Sequence, residues 1–340
     1  MKRAVNLLQK VTSFDGLLKA TQRAKKACAP SPSLDALLFY VERERECLKL
    51  REVLINQSYE PGIYRTFMLF EPKPRLISAA PFVDRVVHHS LCAALAPTLE
   101  NYAIFDSYAC RKGKGLHKAV ARCQHFSRRF TVYLKLDIHH YFESIDHQVL
   151  KNQLKHRFKE QRVLGLCEQI IDRGAPGSLA GKGLPIGNLT SQHFANYYLS
   201  FLDRFIKQDL RCKGYLRYMD DLVLFADDFA TLRQFRHEID DLLTHTLHLK
   251  LKERAERLDW VSSGVPFLGL RIYPYRIYFD QGRKRRLLAR LRHLNLLDPQ
   301  DIDETVLAQA ASLYAWADLA DSTGLLSSWH QSFRLHDLED

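Results

Sequence analysis

The sequence lacks paired cysteines and long apolar runs, and each absence excludes a class of protein. Its 7 cysteines are scattered, odd in number and never spaced C-x-x-C, which argues against a structural zinc site and favours a reducing compartment. No segment approaches the ~20 apolar residues that cross a bilayer, and the N-terminal residues lack the apolar core of a signal peptide. Internal repeats and low-complexity tracts are also missing. We therefore expect a soluble, cytoplasmic protein with no membrane partner.

The composition indicates a folded, basic protein. With 46% hydrophobic and 11% aromatic residues, the chain of 340 residues can bury a large core, which argues against disorder and is compatible with two or three domains. Lys and Arg number 50 against 39 Asp and Glu, and the resulting net charge of +11 suits a polyanionic partner. Many basic proteins bind no nucleic acid, so the charge alone does not decide the partner.

Three aspartates at the ends of apolar runs are the candidate catalytic residues. Asp220 and Asp221 are adjacent between two strand-like runs that supply no Gly or Asn for a tight turn, and Asp137 ends the apolar run 132–136. Adjacent carboxylates repel each other unless a cation neutralises them. Two Mg²⁺ ions about 3.5–4 Å apart would suit this set, because Mg²⁺ takes few carboxylates plus substrate phosphates. A solvated turn is the alternative; Asp227-Asp228, expected to cap a helix, is such a case.

Two basic segments are candidate phosphate ligands. Lys73 and Arg75 flank Pro74 in a turn that prolines stiffen, and a rigid turn with such side chains can hold a triphosphate. The segment 111–115 is predicted to be a flexible loop that follows a nucleic-acid backbone. Its basic residues are Arg111, Lys112 and Lys114. For both segments the alternative is a solvated basic turn.

A glycine followed by small polar residues begins a predicted helix. Gly187 allows a backbone to approach a ligand closely, and residues 188–192 place polar side chains and free N–H groups at the start of that helix. An ordinary N-cap is the alternative. It does not explain why the polar set extends as far as Gln192.

The segment 283–292 carries six positive charges and no acidic residue. Leu287, Leu288, Leu291 and Leu294 recur at helical spacing, so one face should pack while the other lies along a duplex backbone. A solvated basic face is the alternative. The residues expected to contact the backbone are Arg283, Lys284, Arg286 and Arg290.

The order of apolar patterns and turn residues predicts an α+β fold. The expected elements are helices within 1–58, a strand over 64–70, a turn at 71–74, a return strand at 76–78, a helix over 81–99, the Asp137 strand, a helix to about 158, a loop at 174–184, one long helix over 188–210, a hairpin at 218–221, a helix over 231–247, strands at 267–273 and 277–279, and helices from 283. The mixture over 130–280 is typical of a split βαβ palm with an antiparallel sheet.

Taken in this order, over roughly residues 55–335, the motifs resemble those of reverse transcriptases. Lys73 and Arg75 match the family's triphosphate contacts, and Asp137 matches its first palm aspartate. Asp220 and Asp221 match the pair in the Tyr-x-Asp-Asp box. The resemblance further implies a steric gate at Phe142 that selects dNTPs, and contact of Gly187 and Gln192 with the nascent base pair. It implies a primer grip formed by Phe267, Leu268 and Gly269.

The resemblance implies a right-hand polymerase with two Mg²⁺ ions per active site, for which Mn²⁺ could substitute. Asp137, Asp220 and Asp221 would hold the ions, with the Ile138 carbonyl as a further ligand, and Lys250 or Lys252 would protonate the leaving pyrophosphate. The expected partners are an RNA template, a cDNA or primer strand, and dNTPs. The implied domains are an N-terminal helical extension (1–58), fingers (59–130), a palm with a fingers insertion around 150–190 (131–282) and a helical thumb (283–340).

The box 187–192 reads Gly-x-x-x-Ser-Gln, where most bacterial relatives carry Gln-Gly-x-x-x-Ser-Pro. This form is similar to reverse transcriptases of diversity-generating retroelements, as are the segments 71–79, 106–115 and 312–318. The similarity implies error-prone copying of a dedicated RNA, with a small basic accessory protein as partner. A defence-associated (antiphage) reverse transcriptase that uses a cognate non-coding RNA is the alternative.

Two rival functions remain at this point. A catalytically inactive nucleic-acid scaffold would be expected to lack a palm aspartate, and all three are present. An RNA-templated RNA polymerase would leave room for a ribose 2′-hydroxyl, against which Phe142 argues.

Overall fold

A computed structural model describes residues 6–26, 33–70, 74–297 and 303–320. Helices occupy the N-terminal region, as the sequence predicts: α1 (Leu7–Thr12), α2 (Phe14–Lys26), α3 (Leu34–Val41) and α4 (Arg43–Ile55). Helices α1 and α2 pack against α5 (Phe82–Tyr102), which extends past its predicted end at residue 99. Leu7, Val11 and Leu17 are fully buried there, so these helices are part of the main core.

Strands β1 (Arg65–Leu69) and β2 (Arg75–Ala79) form an antiparallel hairpin in which Arg65 lies opposite Ala79. Both strands agree with their predicted positions to within a residue. Of the predicted turn between them, only Pro74 is among the described residues, and Lys73 lies outside them.

The central sheet has four antiparallel strands in the order β4-β5-β3-β6. They are β3 (Val132–Asp137), β4 (Gly214–Tyr218), β5 (Asp221–Ala226) and β6 (Arg257–Trp260). Because side chains alternate along a strand, Leu134 and Leu224 face the main core, whereas Val223 and Phe225 face a second core. Helix α6 (Leu116–Ser127) supplies Cys123 and Phe126 to this second core. The sheet is thus buried on both faces.

Helices surround the main core side of the sheet. They are α7 (Tyr141–Ser144), α8 (His147–Arg157), α9 (Gln161–Asp172), α10 (Leu189–Tyr198), α11 (Ser200–Arg204) and α12 (Phe229–His245). The single helix predicted over 188–210 is wrong: α10 ends at Tyr198, and a π-helical turn follows α11 over Phe205–Asp209. Asp228 caps α12 by accepting a hydrogen bond from the Thr231 backbone N–H at 2.8 Å, as predicted.

The strand predicted over 267–273 is two strands, β7 (Val265–Phe267) and β8 (Leu270–Ile272), which pair with each other and with β9 (Ile277–Phe279). Leu268 and Gly269 form the turn between them, with φ of 50° and 77°. A glycine tolerates such a φ, but a leucine does so only under strain.

The chain then forms α13 (Gln281–Asn295) and α14 (Glu304–Ala317), and the intervening residues 298–302 and the last residues, 321–340, lie outside the described part. The mixture of helices and antiparallel strands confirms the α+β class. None of the helices in the described ranges has both the length and the apolar character that a bilayer span needs.

Candidate active site

The adjacent aspartates lie at a two-residue hairpin turn between β4 and β5. Tyr218 pairs with Asp221, so Met219 and Asp220 form the turn itself. Met219 has φ of 56°, the left-handed conformation that such turns require and that usually falls to Gly or Asn. The hairpin that the sequence predicts here is confirmed, although neither turn residue is the usual Gly or Asn. A bulky residue in that conformation costs roughly 1–2 kcal/mol, a strain that is common at functional sites.

The strand register brings the third aspartate to the same place. Asp137 lies directly opposite Asp221 on the neighbouring strand, so the two side chains leave the same face of the sheet. Asp220 follows at the tip of the turn, close enough to Asp137 that their charges interact. The structure therefore brings together the three aspartates that the sequence identifies.

Burial dominates the electrostatics of this cluster. It raises the pKa of Asp221 to about 7, an effect that the Lys135 ammonium opposes and the charges of Asp137 and Asp220 reinforce. Burial and Asp137 also raise the pKa of Asp220, while Arg75 and Lys252 act in the opposite direction.

Lys135 is a residue of this site that the sequence reasoning missed. Its Nζ lies 3.3 Å from Asp221 Oδ1, an ion-pair distance, yet among the described residues this buried oxygen has no donor in hydrogen-bonding geometry. The signal was present, because Lys135 precedes Asp137 by two residues and so shares its face of the strand.

Lys252 also reaches the carboxylates. Its backbone N–H donates to the Asp137 carbonyl at 2.9 Å, and its Nζ lies 3.9 Å from Asp137 Oδ1. The backbone carbonyl of Lys250 instead accepts from the His139 N–H. Of the two lysines proposed as proton donors, the structure places only Lys252 beside one of the three candidate aspartates. The role of the Ile138 carbonyl as a metal ligand stays a prediction.

Arg75 is exposed at the start of β2, and its charge lowers the pKa of Asp220. A cation at this position is what a triphosphate clamp needs. Lys73, its predicted partner, lies outside the described residues.

The box 187–192 packs against the β1–β2 hairpin. A Cβ placed on Gly187, whose φ is 113°, would lie 2.9 Å from Ile77 Cγ2, and the Ser78 N–H donates to the Ile186 carbonyl at 2.8 Å. The close approach to the Gly187 backbone, which we expected from a ligand, is therefore made by strand β2. Asn188 stands at the N-cap of α10 without a capping hydrogen bond from its side chain, so the ordinary N-cap does not account for it.

Gln192 is exposed one turn into α10, where its Oε1 accepts a hydrogen bond from Cys110 Sγ at 3.7 Å. Phe142 is half-buried in α7 against the main core. Their contacts with a nascent base pair and a ribose stay predictions.

In the loop 111–115, two of the three basic side chains are bound within the protein itself. Arg111 Nε donates to Glu100 Oε2 at 2.7 Å, and its Nη1 donates to two backbone carbonyls. Lys114 Nζ donates to the Phe105 carbonyl at 2.7 Å and lies 3.4 Å from the centre of that ring. Both cations thus fix the loop internally, which argues against their predicted contact with a nucleic-acid backbone. Lys112 remains exposed.

The predicted primer grip needs a similar correction. Phe267 is fully buried in the second core, so its side chain cannot contact nucleic acid. Arg283 Nη1 donates to the Leu268 carbonyl at 2.8 Å, and the Arg283 side chain occupies the space where a Cβ on Gly269 would lie. Arg283 therefore supports the turn at Leu268 and Gly269, the part of the motif that reaches the surface.

Helix α13 packs on the face that its sequence predicts, except that Leu288 is only half-buried and that Arg283, predicted to contact a duplex, binds the Leu268 carbonyl instead. Leu287, Leu291 and Leu294 are buried, while a row of basic side chains is exposed. This row contains Lys284, Arg286 and Arg290.

Relatives with known sequences match the chain weakly but over much of its length. It is 22% identical over 330 residues to protein YkfC of Escherichia coli (strain K12), an alignment that covers 83% of this chain and 86% of that protein. It is 29% identical over 161 residues to an uncharacterised 91 kDa protein in the cob intron of Schizosaccharomyces pombe, covering 46% of this chain and 18% of that protein.

Solved structures with the same fold include fungal telomerases. The telomerase from Candida tropicalis in complex with a TWJ fragment of telomeric RNA has a TM-score of 0.52 at 11% identity, and the match covers 84% of this chain and 59% of that one. The telomerase from Candida albicans has a TM-score of 0.51 at 11% identity, over 76% of this chain and 55% of that one. The chain thus spans less than two thirds of these telomerases, and the likeness concerns the fold.

A family model described as reverse transcriptase (RNA-dependent DNA polymerase) matches residues 70–272, which is more than half of the chain. The matched range begins directly after β1, contains β2, Asp137, Asp220 and Asp221, and ends with β8. The strand register brings these aspartates together, and the family model matches the range that contains them. The chain therefore belongs to the reverse transcriptase family.

Proposed function

We propose that this protein copies an RNA template into cDNA by adding dNTPs to a primer end held at Asp137, Asp220 and Asp221. The observation that carries the proposal is the strand register, which sets Asp137 opposite Asp221 with Asp220 at the adjoining turn. Such a cluster of half-buried carboxylates is costly without a cation, and it is the arrangement on which nucleotidyl transfer depends.

The donor set fits a divalent metal that is completed by substrate. In the described part of the chain, no three His, Cys, Asp or Glu side chains converge on a common metal position. Mg²⁺ nonetheless favours one or two carboxylates with substrate phosphates, and the buried Asp221 Oδ1 that lacks a hydrogen-bond donor suits a cation nearby. Asp137 and Asp220 would hold the ions, with Asp221 in a secondary role. When bound, they would activate the primer 3′-hydroxyl and stabilise charge on the leaving pyrophosphate.

The protein's own cations complete the reaction. Arg75 would neutralise the triphosphate from the β2 side, opposite the carboxylates. Lys252, whose ammonium lies beside Asp137, would give a proton to the leaving pyrophosphate oxygen. Lys135, whose Nζ lies 3.3 Å from Asp221 Oδ1, would favour the ionised form of Asp221 against the effect of burial.

For the biological role we favour error-prone copying of a dedicated RNA in a diversity-generating retroelement, with a small basic accessory protein as partner. The support is the Gly-x-x-x-Ser-Gln box, which here joins the hairpin through Gly187 and leaves Gln192 exposed. Antiphage defence with a cognate non-coding RNA remains the second candidate, since the same box occurs in both groups. A high misincorporation frequency in cDNA made from the cognate RNA would favour the first role, and accurate copying would favour the second.

Primer extension on an RNA template tests the activity. Wild-type protein should incorporate dNTPs in a Mg²⁺-dependent manner and use rNTPs poorly because of Phe142. The Asp220→Ala/Asp221→Ala variant should be inactive. If the wild type extends only with rNTPs, or not at all with its cognate RNA supplied, the proposal is wrong.

A further inference from the structure

Arg217 is the largest fully buried side chain in the described part of the chain, and it lies two residues before Met219 in the strand that enters the catalytic turn. A buried guanidinium is expensive unless its charge is paired and each N–H group has an acceptor. Nothing in the proposed chemistry uses this residue. The hydrogen bonds of its guanidinium show what this buried charge does.

An ion pair neutralises the charge. Arg217 Nε and Nη2 donate to the two carboxylate oxygens of Asp203, at 2.7 and 2.6 Å, and Asp203 is also fully buried. Asp203 lies in α11, directly before the π-helical turn. This bidentate pair satisfies the charge but leaves Nη1 free to bond elsewhere.

The remaining contact reaches the catalytic turn. Arg217 Nη1 donates to the Met219 carbonyl at 2.8 Å and to Asn196 Oδ1 at 3.0 Å. The Met219 carbonyl belongs to the peptide that links Met219 to Asp220, so holding this oxygen fixes the plane from which Asp220 projects. Because Met219 is in the unfavourable left-handed conformation, the turn needs an interaction of this kind to persist.

The same residue ties the turn to two neighbouring segments. Nη2 also donates to Ser107 Oγ at 3.3 Å and to the Asn196 carbonyl at 3.2 Å. The Arg217 backbone exchanges hydrogen bonds with the Asp106 carbonyl and the Tyr108 N–H. The 106–115 loop and helix α10, which carries Gln192, are thereby connected to the strand that presents Asp220.

We infer that Arg217 is a positioning residue: through the Met219 carbonyl it holds Asp220 in the orientation that nucleotidyl transfer requires, without touching substrate. The inference rests on the proposed polymerase function. Displacement of a catalytic group by about 1 Å can cost on the order of 100-fold in rate, so the loss of this single contact should be measurable.

The matched variants are Arg217→Lys and Tyr215→Phe. A lysine keeps the positive charge for Asp203, but its compact ammonium cannot also span to Met219. Tyr215→Phe removes the hydrogen bond from the Tyr215 hydroxyl to Asp203 Oδ1 (2.7 Å) in the same buried network, without a contact to the turn. Primer extension at saturating template–primer then gives kcat, KM for dNTP and the Mg²⁺ concentration at half-maximal rate, and thermal melting gives Tm for each protein.

We expect Arg217→Lys to lower kcat by roughly 10- to 100-fold and to raise the Mg²⁺ requirement, with little change in KM. Tyr215→Phe should lower Tm while kcat and the Mg²⁺ requirement stay within about twofold of wild type. If Arg217→Lys retains both wild-type values, or if both variants lose rate in step with Tm, the inference is wrong. An inactive wild type would instead refute the polymerase function on which it rests.

Should Arg217→Lys fail to fold, the double variant Asp203→Asn/Arg217→Gln replaces it, because removing both charges leaves no unpaired ion in the core. It lacks the donor to Met219 and should show the same loss of kcat in a folded protein. Wild-type kcat in this variant would also overturn the inference.

Discussion

Three carboxylates and three cationic side chains meet at one end of the central sheet. They are Asp137, Asp220, Asp221, Lys135, Lys252 and Arg75. The cations come from β3, from the segment after α12 and from β2, so the balance of charge depends on three separate parts of the fold. In the proposed reaction, metal ions would enter this site together with the triphosphate.

The raised pKa of Asp221 predicts how stability depends on pH in the absence of metal. The folded protein binds a proton at Asp221 up to about pH 7, whereas the unfolded chain releases it near its ordinary value of 3.8. The contribution of this group is therefore fully present below pH 3.8 and is lost as pH rises to about 7. We expect Asp221→Asn to gain roughly 2–4 kcal/mol of unfolding free energy relative to wild type between pH 4 and pH 8.

Urea unfolding of both proteins in chelator across this range measures the difference. Asp228→Asn is the control: hydrogen bonds from Thr231 lower the pKa of that exposed carboxylate below its ordinary value of 3.8, so its difference from wild type should stay nearly constant across this range. A wild-type minus Asp221→Asn difference that does not vary with pH would show that Asp221 is not buried as described.

At this scale the sequence singled out the three aspartates, Arg75 and Lys252, but it missed Lys135. The aspartates stand out because carboxylates at strand ends have few structural uses. Arg111 and Phe267 were predicted to contact nucleic acid. In the structure, Arg111 donates to Glu100 and to backbone carbonyls, and Phe267 is buried in the second core. Burial and partners of this kind depend on segments distant in the chain, which one sequence does not bring together.

Among the elements, the contact between the box 187–192 and strand β2 has the clearest consequence. Gly187→Ala should destabilise the protein by about 1–3 kcal/mol, because φ of 113° and the 2.9 Å approach of Ile77 leave no room for a methyl group. Since Arg75 begins β2, the displaced hairpin should also raise KM for dNTP. Tm and steady-state primer extension measure the two effects.

Gly165→Ala is the matched control. Gly165 lies within α9 and has open space where its Cβ would be, so alanine should stabilise the helix by up to about 1 kcal/mol and leave KM unchanged. Equal behaviour of the two variants would mean that the contact of Gly187 with β2 does not matter.

The elements that the sequence missed share a physical reason. Strand β6 is short and only half-buried, so its apolar alternation is weak. Helix α9 has a clear apolar face of Val163, Leu164, Cys167 and Ile170. The sequence reasoning nevertheless identified only the loop that follows this helix. The break between α10 and α11 involves no Gly or Pro, so only the packing around Leu199 and Asp203, both fully buried, shows it.

At the scale of the whole molecule, part of the net charge of +11 lies in the exposed basic row of α13. We expect Lys284→Glu/Arg286→Glu to weaken binding of a primer–template duplex by roughly tenfold or more at moderate salt. Each lost phosphate contact should also reduce the slope of log Kd against log salt concentration by about one. Fluorescence anisotropy at several salt concentrations measures both quantities.

The control reverses two exposed charges elsewhere, in Arg45→Glu/Arg51→Glu on α4. This variant has the same net charge, so it separates a local duplex contact from a general effect of charge. Equal losses of affinity in the two variants would contradict a duplex-binding role for α13.

The fold and the family of this molecule are shown, whereas its biological role is a proposal. The order of motifs predicted an α+β polymerase, and the family match and the telomerase likeness agree with it. The role depends on the RNA that is copied, which is not encoded in the strand register or in the core. Domain boundaries at 58, 130 and 282 likewise stay predictions.

The most direct test is the rate of dNTP incorporation on an RNA template–primer in a single turnover, for wild type, Asp137→Ala and Asp228→Ala. Asp137 lies opposite Asp221 in the site, whereas Asp228 is an exposed helix cap of the same residue type. We predict that Asp137→Ala slows incorporation by at least roughly 1000-fold, about 4 kcal/mol of transition-state stabilisation, and that Asp228→Ala retains the wild-type rate. Comparable rates for wild type and Asp137→Ala would contradict catalysis at these aspartates.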